Sequence, residues 1–175
     1  MPDNVKKKRR NVLAGIIAGM LAGAAATAAM DGYWAIVRNE PGERPEQKPK
    51  RGDDNQEKEE PSTQIIADKV SKAVTGREVP KKHKAEAGVA VHYATGLLWG
   101  AAFGALAARI PRLGIVAGLI YGVFIWLALD EIGLRALNIA PDADEVPLEE
   151  HVQALGAHLI FGGATGLATR LLLRR

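Results

Sequence analysis

The sequence predicts an all-α polytopic membrane protein, with four transmembrane helices arranged as two tandem helical hairpins and a short amphipathic helix in the first loop. Three observations predict it. Long uncharged runs of Ala, Gly, Leu, Ile and Val alternate with segments crowded with Lys, Arg, Asp and Glu. Clusters of Lys and Arg fall at alternate ends of those runs, as they do where basic residues set orientation. One pattern of Gly, Asp and His occurs in each half of the chain.

A mean hydropathy of −0.04 over 175 residues therefore averages two unlike compositions rather than describing either. Nineteen glycines suit closely packed membrane helices, because a missing side chain lets backbones touch where lipid supplies no hydrophobic drive. Cysteine is absent, which excludes disulfide frameworks, thiolate nucleophiles and Cys-based metal sites.

Residues 1–10 form a basic N-terminus, with Lys6, Lys7, Lys8, Arg9 and Arg10 expected on the cytoplasmic side. The first span, 11–37, is free of charge from Asn11 to Met30, and a helix of that length matches a hydrocarbon core about 30 Å thick. A cleaved leader ending near Ala26-Thr27-Ala28 is the alternative, but a disposable segment has no reason to share a pattern with a later helix.

Residues 38–86 form a charged outer loop by parity, although it holds twelve basic and eleven acidic residues. Its 40–61 part is too polar to offset ordering entropy and is expected to be disordered. Within 63–75, Ile65, Ile66, Val70, Ala73 and Val74 recur at helical spacing, with Ser62 as expected N-cap and Gly76 as stop. Two sites suit this amphipathic helix equally: the outer membrane surface, or the mouth of the bundle.

The second span, 87–108, is interrupted by His92 and ends at the Arg109-Ile110-Pro111-Arg112 turn. The third, 113–137, meets Asp130 and Glu131 and continues as an interfacial turn. An acidic outer loop, 138–150, carries Asp142, Asp144, Glu145, Glu149 and Glu150 with no Lys or Arg. The fourth span, 151–173, includes Gln153 and His158, and Arg170, Arg174 and Arg175 close it on the cytoplasmic side.

Gly15, Gly19, Gly23 and Asp31 recur as Gly114, Gly118, Gly122 and Asp130, at a constant offset of 99 residues. His92, Gly96 and Gly100 recur as His158, Gly162 and Gly166, at an offset of 66. The halves are expected to be parallel repeats about an axis along the membrane normal. These glycines, together with Gly104, are expected to pack helices; a pore lined by small residues is the less common use.

Asp31, His92, Asp130, Glu131 and His158 form the candidate polar centre, because ionisable groups at membrane depth are costly and should face the bundle or one another. An Asp beside a His can bind or pass a proton near neutral pH. The plainer reading is an interhelical clasp in which each satisfies the other. Metal binding by the two histidines with Asp31, Asp130 and Glu131 lacks a supporting ligand spacing. His151 and His83 read as solvated.

No phosphate-cradling loop, dinucleotide fingerprint, nucleophile elbow or H-E-x-x-H motif is found, so neither an enzyme nor a cofactor is expected. The basic N-terminus beside a membrane helix points to topology and anionic lipid rather than nucleic acid.

The stretch HYATGLLWGAAFGALAARIPR, the pair Asp130-Glu131 and the stretch PLEEHVQALGAHLIFGGATGLATR resemble the YagU-type bacterial inner-membrane proteins, a family of unknown function. The resemblance implies a bacterial inner membrane and matches His92, Asp130, Glu131 and His158 to that family's polar membrane residues. It supplies no catalytic role. The expected function is a proton-linked transporter or channel component in envelope homeostasis, which so small a bundle would serve as a homo-oligomer. The rival is a structural or assembly protein whose glycine-striped helices dock a partner membrane protein. In both, the bilayer is the main partner.

Overall fold

The computed structural model describes residues 2–37, 60–110 and 113–173, with side chains from residue 12 onward. The 40–59 part of the expected disordered segment, the side chains of Lys6 to Arg10, and Arg112, Arg174 and Arg175 lie outside that description. The described residues form helices α1 (Pro2–Val37), α2 (Ser62–Thr75), α3 (Lys84–Ala107), α4 (Ile115–Trp126), α5 (Leu134–Ala136) and α6 (Leu148–Leu173). A single 3₁₀ turn, Lys81–His83, leads into α3, and a π-helical segment, Leu127–Gly133, joins α4 to α5.

Glycine decides which helices meet. A Cβ built on Gly15, Gly19 or Gly23 of α1 would fall inside 3.0 Å of the backbone at Gly104, Gly100 or Gly96 of α3. Rising numbers on one helix meet falling numbers on the other, so the two run antiparallel. Gly118 likewise meets Gly162, Gly122 meets the His158 carbonyl, and Gly166 meets the Gly114 carbonyl, which pairs α4 antiparallel with α6. No side chain fits between these backbones, and dispersion across the close contact replaces the hydrophobic drive absent between helices in lipid.

The two ladders differ in register. Matched by sequence pattern, Gly122 corresponds to Gly23 and Gly162 to Gly96, yet Gly23 meets Gly96 while Gly122 meets His158. The second pair is displaced by four residues, one helical turn of about 5.4 Å.

Helix α6 also packs along α1, so α1 and α6 form the inside of the bundle and α3 and α4 flank it. Ala26, Met30 and Trp34 of α1, Ile125 of α4, and Ala157 and Phe161 of α6 make the core, bordered by Tyr33, Trp99 and Tyr121. Trp99 and Phe103 of α3 lie edge-on or tilted against Tyr121 of α4, whose hydroxyl donates to the Trp99 carbonyl at 2.9 Å.

The outer surface differs from that of a water-soluble bundle. Of the four largest fully buried side chains, three are threonines, Thr27, Thr165 and Thr169, while Val116 (72% exposed), Ile120 (67%) and Leu21 (60%) face outward. Large aliphatic side chains facing outward, with small residues between closely packed helices, suit a bundle whose surrounding solvent is itself apolar. Three helical stretches are long and apolar enough to cross a membrane: Val12–Val37, Lys81–Ala107 and Ile115–Ala136. The described residues thus hold three candidate spans, as suits a membrane protein, rather than the four expected.

The correction has a physical cause. At 26 residues α6 is long enough, but it carries Gln153, His158, Thr165, Thr169 and Arg170 and falls short on apolarity. His158, Thr165 and Thr169 are buried within the bundle rather than turned outward.

Helix α2 packs against the start of α3. Gly88 of α3 leaves room for Thr63 and Gln64, and Ala67 is buried. Lys84 at the head of α3 is ion-paired to Asp68 at 2.5 Å and to Glu60, and Asp68 also accepts the Val79 N–H at 2.9 Å. Pro61 rather than Ser62 holds the cap position; its carbonyl accepts the N–H groups of Gln64 and Ile65. Gly76 ends the helix in the left-handed region, with φ 73°, where a side chain would be strained.

Candidate functional site

The predicted polar residues lie at one end of the bundle. Tyr33, near the end of α1, reaches Gly156 near the start of α6, and Gly122 near the end of α4 meets His158. The ends of α1 and α4 and the beginnings of α3 and α6 are therefore neighbours. Arg170 lies against Gly114 at the opposite end, where α3 finishes at Ala107.

At the polar end, the residues form three groups rather than one centre. In the first, Asp31 of α1 accepts the Tyr93 hydroxyl on Oδ2 at 3.0 Å, and its Oδ1 is 3.3 Å from His92 Nε2. Successive helical residues reach the same carboxylate because His92 and Tyr93 stand edge to face at the α1/α3 seam. Tyr93 belongs to this group, and neither periodicity nor a motif marked it.

The second group joins Asp130 to His158, with Oδ2 3.7 Å from Nδ1. His158 is 9% exposed, and its Nδ1–H donates to the Ala154 carbonyl one turn earlier at 2.9 Å. A carbonyl can only accept, so this bond places a hydrogen on Nδ1 and leaves Nε2 as the basic nitrogen of the neutral ring. Further along α6, seven and eleven residues from His158, the Thr165 and Thr169 hydroxyls are buried with no hydrogen-bond partner among the described residues. Thr27 of α1 shows the ordinary solution for a threonine in such a helix, its hydroxyl donating to the Gly23 carbonyl at 2.9 Å.

The third group corrects two expectations. Glu131 turns away from Asp130 and His158 and pairs instead with His151 at 2.7 Å and with Arg135. His151, expected to be solvated, has a side chain only 16% exposed and also donates from Nε2 to the Ala143 carbonyl at 3.2 Å. The hydrogen bond to Glu131 raises its pKa above the usual histidine value of 6.5. Arg135 donates to the carbonyls of Pro141, Glu131 and Asp130, at 2.9, 3.1 and 3.3 Å.

The π-helical segment explains why adjacent acids serve different groups. Its wider turn, with i→i+5 bonding, carries both Asp130 and Glu131 and rephases the face shown to α6; such turns recur at functional sites. The spacing of His151, His158 and Thr165 by seven residues was a legible helical stripe, whereas Arg135 was marked by no pattern.

Among the described residues no three His, Asp or Glu side chains converge to hold a metal ion. All eleven predicted packing glycines, Gly15, Gly19, Gly23, Gly96, Gly100, Gly104, Gly114, Gly118, Gly122, Gly162 and Gly166, lie against other residues of this same chain.

No curated protein and no solved structure matches the chain. The YagU-type likeness thus rests on the quoted stretches alone. A family model does match residues 49–165, more than half of the sequence, covering α2 through most of α6. The chain belongs to the family described as protein of unknown function DUF1440.

Proposed function

We propose that this protein is a proton-binding membrane protein of a bacterial inner membrane, with Asp130 and His158 as the working pair. One observation carries the reading: His158 heads a buried polar stripe, His158, Thr165 and Thr169, on an inner helix flanked by apolar ones. An unpaired buried hydroxyl costs about 1–3 kcal/mol, so two of them in succession call for a compensating use. Bound water or a proton carrier in transit supplies one. His158 takes a proton on Nε2 while Nδ1–H stays on Ala154, and the nearby Asp130 carboxylate stabilises the resulting imidazolium. With Arg109 and Arg170 read as cytoplasmic by the positive-inside rule, the three polar groups fall at the outer face in this reading.

The stripe supports a proton-linked transporter or channel component, and so short a path is completed by oligomerisation. The clasp reading is favoured for the first pair, where the Tyr93 hydroxyl already donates to Asp31 at 3.0 Å. Docking a partner through the glycine stripes loses its basis, because the chain's own helices occupy them.

The test is proton flux into proteoliposomes under an imposed potential. Flux above that of empty liposomes, reduced at least about tenfold in both His158→Gln and Asp130→Asn, is expected for a general acid–base group. Flux at the level of empty liposomes sinks the reading.

A further inference from the structure

We infer that Glu131, His151 and Arg135 form a pH-operated latch that holds the 138–147 connection against the polar end of the bundle. This holds whether or not His158 moves protons. His151 is the first titratable ring on α6, and both its nitrogens face acceptors: the Glu131 carboxylate at 2.7 Å from Nδ1 and the Ala143 carbonyl at 3.2 Å from Nε2. Neither an ionised carboxylate nor a carbonyl can donate, so both contacts form together only when the ring carries two hydrogens. The latch is therefore built around the imidazolium.

Glu131 bridges the two cations. Its other oxygen pairs with Arg135, whose Nε–H donates to the Pro141 carbonyl at 2.9 Å. The connection is thus held at two carbonyls, Pro141 by a permanent cation and Ala143 by a titratable one. When His151 loses its proton, the Nδ1–H bond to Glu131, shorter and charge-assisted, is the one retained. Nε2 then presents a lone pair to the Ala143 oxygen, lone pair against lone pair, and that anchor opens while Pro141 stays held.

The surrounding charges fix the direction. Glu131 from the π-helical segment favours the imidazolium, and Arg135 from α5 opposes it. Glu149 and Glu150 on α6, with Asp142, Asp144 and Glu145 on the connection, are exposed to solvent, and Asp31 of α1 is engaged with His92 and Tyr93. Burial of the ring works against the charged form and is outweighed by the bond to Glu131. The folded-state pKa lies above the unfolded one, so the latch is closed in acid and opens as pH rises through the folded value.

The experiment is amide hydrogen exchange on the full chain in lipid nanodiscs from about pH 5 to about pH 9, corrected for intrinsic exchange. Residues 138–147 are expected to exchange about tenfold faster above the His151 midpoint than below it, the effect of losing one hydrogen bond to a charged group. Amides of α1 and α3 stay constant across the same range. His151→Gln abolishes the step, and Glu131→Gln moves its midpoint toward lower pH. A wild-type connection whose exchange shows no step, a step that survives in His151→Gln, or a midpoint unmoved in Glu131→Gln overturns the latch.

Discussion

Helices α1 and α3 and helices α4 and α6 share one pattern of Gly, Asp and His at the same spacing and pack one turn out of register. In the first pair, three glycines of α1 meet three of α3, Gly96, Gly100 and Gly104. In the second, α6 offers Gly162 and Gly166 and then Arg170 at the position matching Gly104. A Cβ on Gly104 would collide with the Gly15 and Gly19 backbone, so an arginine there forbids the register of the first pair. Slipping by a turn carries Arg170 to the end of the ladder beside Gly114, where only its flexible side chain touches. One missing glycine accounts for the slip and for the seating of His158 directly against α4.

The most damaging test moves the arginine. Gly104→Arg puts the second pair's residue into the first pair's ladder and is expected to separate α1 from α3, at more than about 3 kcal/mol, the upper range for overpacking. Unfolding in detergent against the parent chain measures it, and a loss below about 1 kcal/mol shows that the ladder is looser than its contacts imply.

The reverse change sharpens the comparison. Arg170→Gly gives α6 its third glycine, and the second pair is expected to adopt the first pair's register. Because the chain has no cysteine, spin labels on exposed positions 120 and 167 report it, with a change of about 5 Å, one turn. An unchanged distance makes Trp126, which stands where the first pair has Thr27, the element that sets the register instead.

The two connections also differ in how they are held. That of the first pair is pinned by Asp68, whose pKa is lowered chiefly by its hydrogen bond with Lys84, and that of the second by His151, whose pKa is raised. A lowered carboxylate stabilises above its unfolded value of 3.8 and ceases to do so as pH falls through the folded value. As pH falls through the folded value of Asp68, below 3.8, α2 is expected to detach from α3, whereas the Ala143 anchor is expected to open as pH rises through the folded value of His151. Asp68→Asn should weaken α2 docking by about 1–3 kcal/mol at neutral pH, read as loss of exchange protection in 62–75. Equal protection in the variant removes Asp68 from the account.

The helices were legible because long uncharged runs and glycine every fourth residue are properties of composition and spacing. The Asp31–His92 and Asp130–His158 partners were legible for the same reason, since each Asp ends one helix of a pair and each His begins the other. Register was not, because it turns on Arg170, a residue whose charge suggested topology rather than packing. Glu131 was misassigned because a π turn has no residue signature and moves a neighbour by a fraction of a turn. From its length and apolar runs α6 reads as a span, whereas its polar residues, taken together with the bundle around them, make it an inner helix. His151 reads as solvated from the sequence because the connection that covers it folds back through two backbone carbonyls, which no side-chain pattern records.

In the proposed function two similar Asp/His pairs have unlike roles: a clasp held by Tyr93 in the first, a proton-binding group above a polar stripe in the second. The direct test is proton flux in proteoliposomes with His92→Gln and His158→Gln side by side at matched protein incorporation. The account predicts that His158→Gln lowers flux at least about tenfold while His92→Gln leaves it within about twofold of the parent. Equal losses in the two variants, or flux that survives His158→Gln, would contradict it.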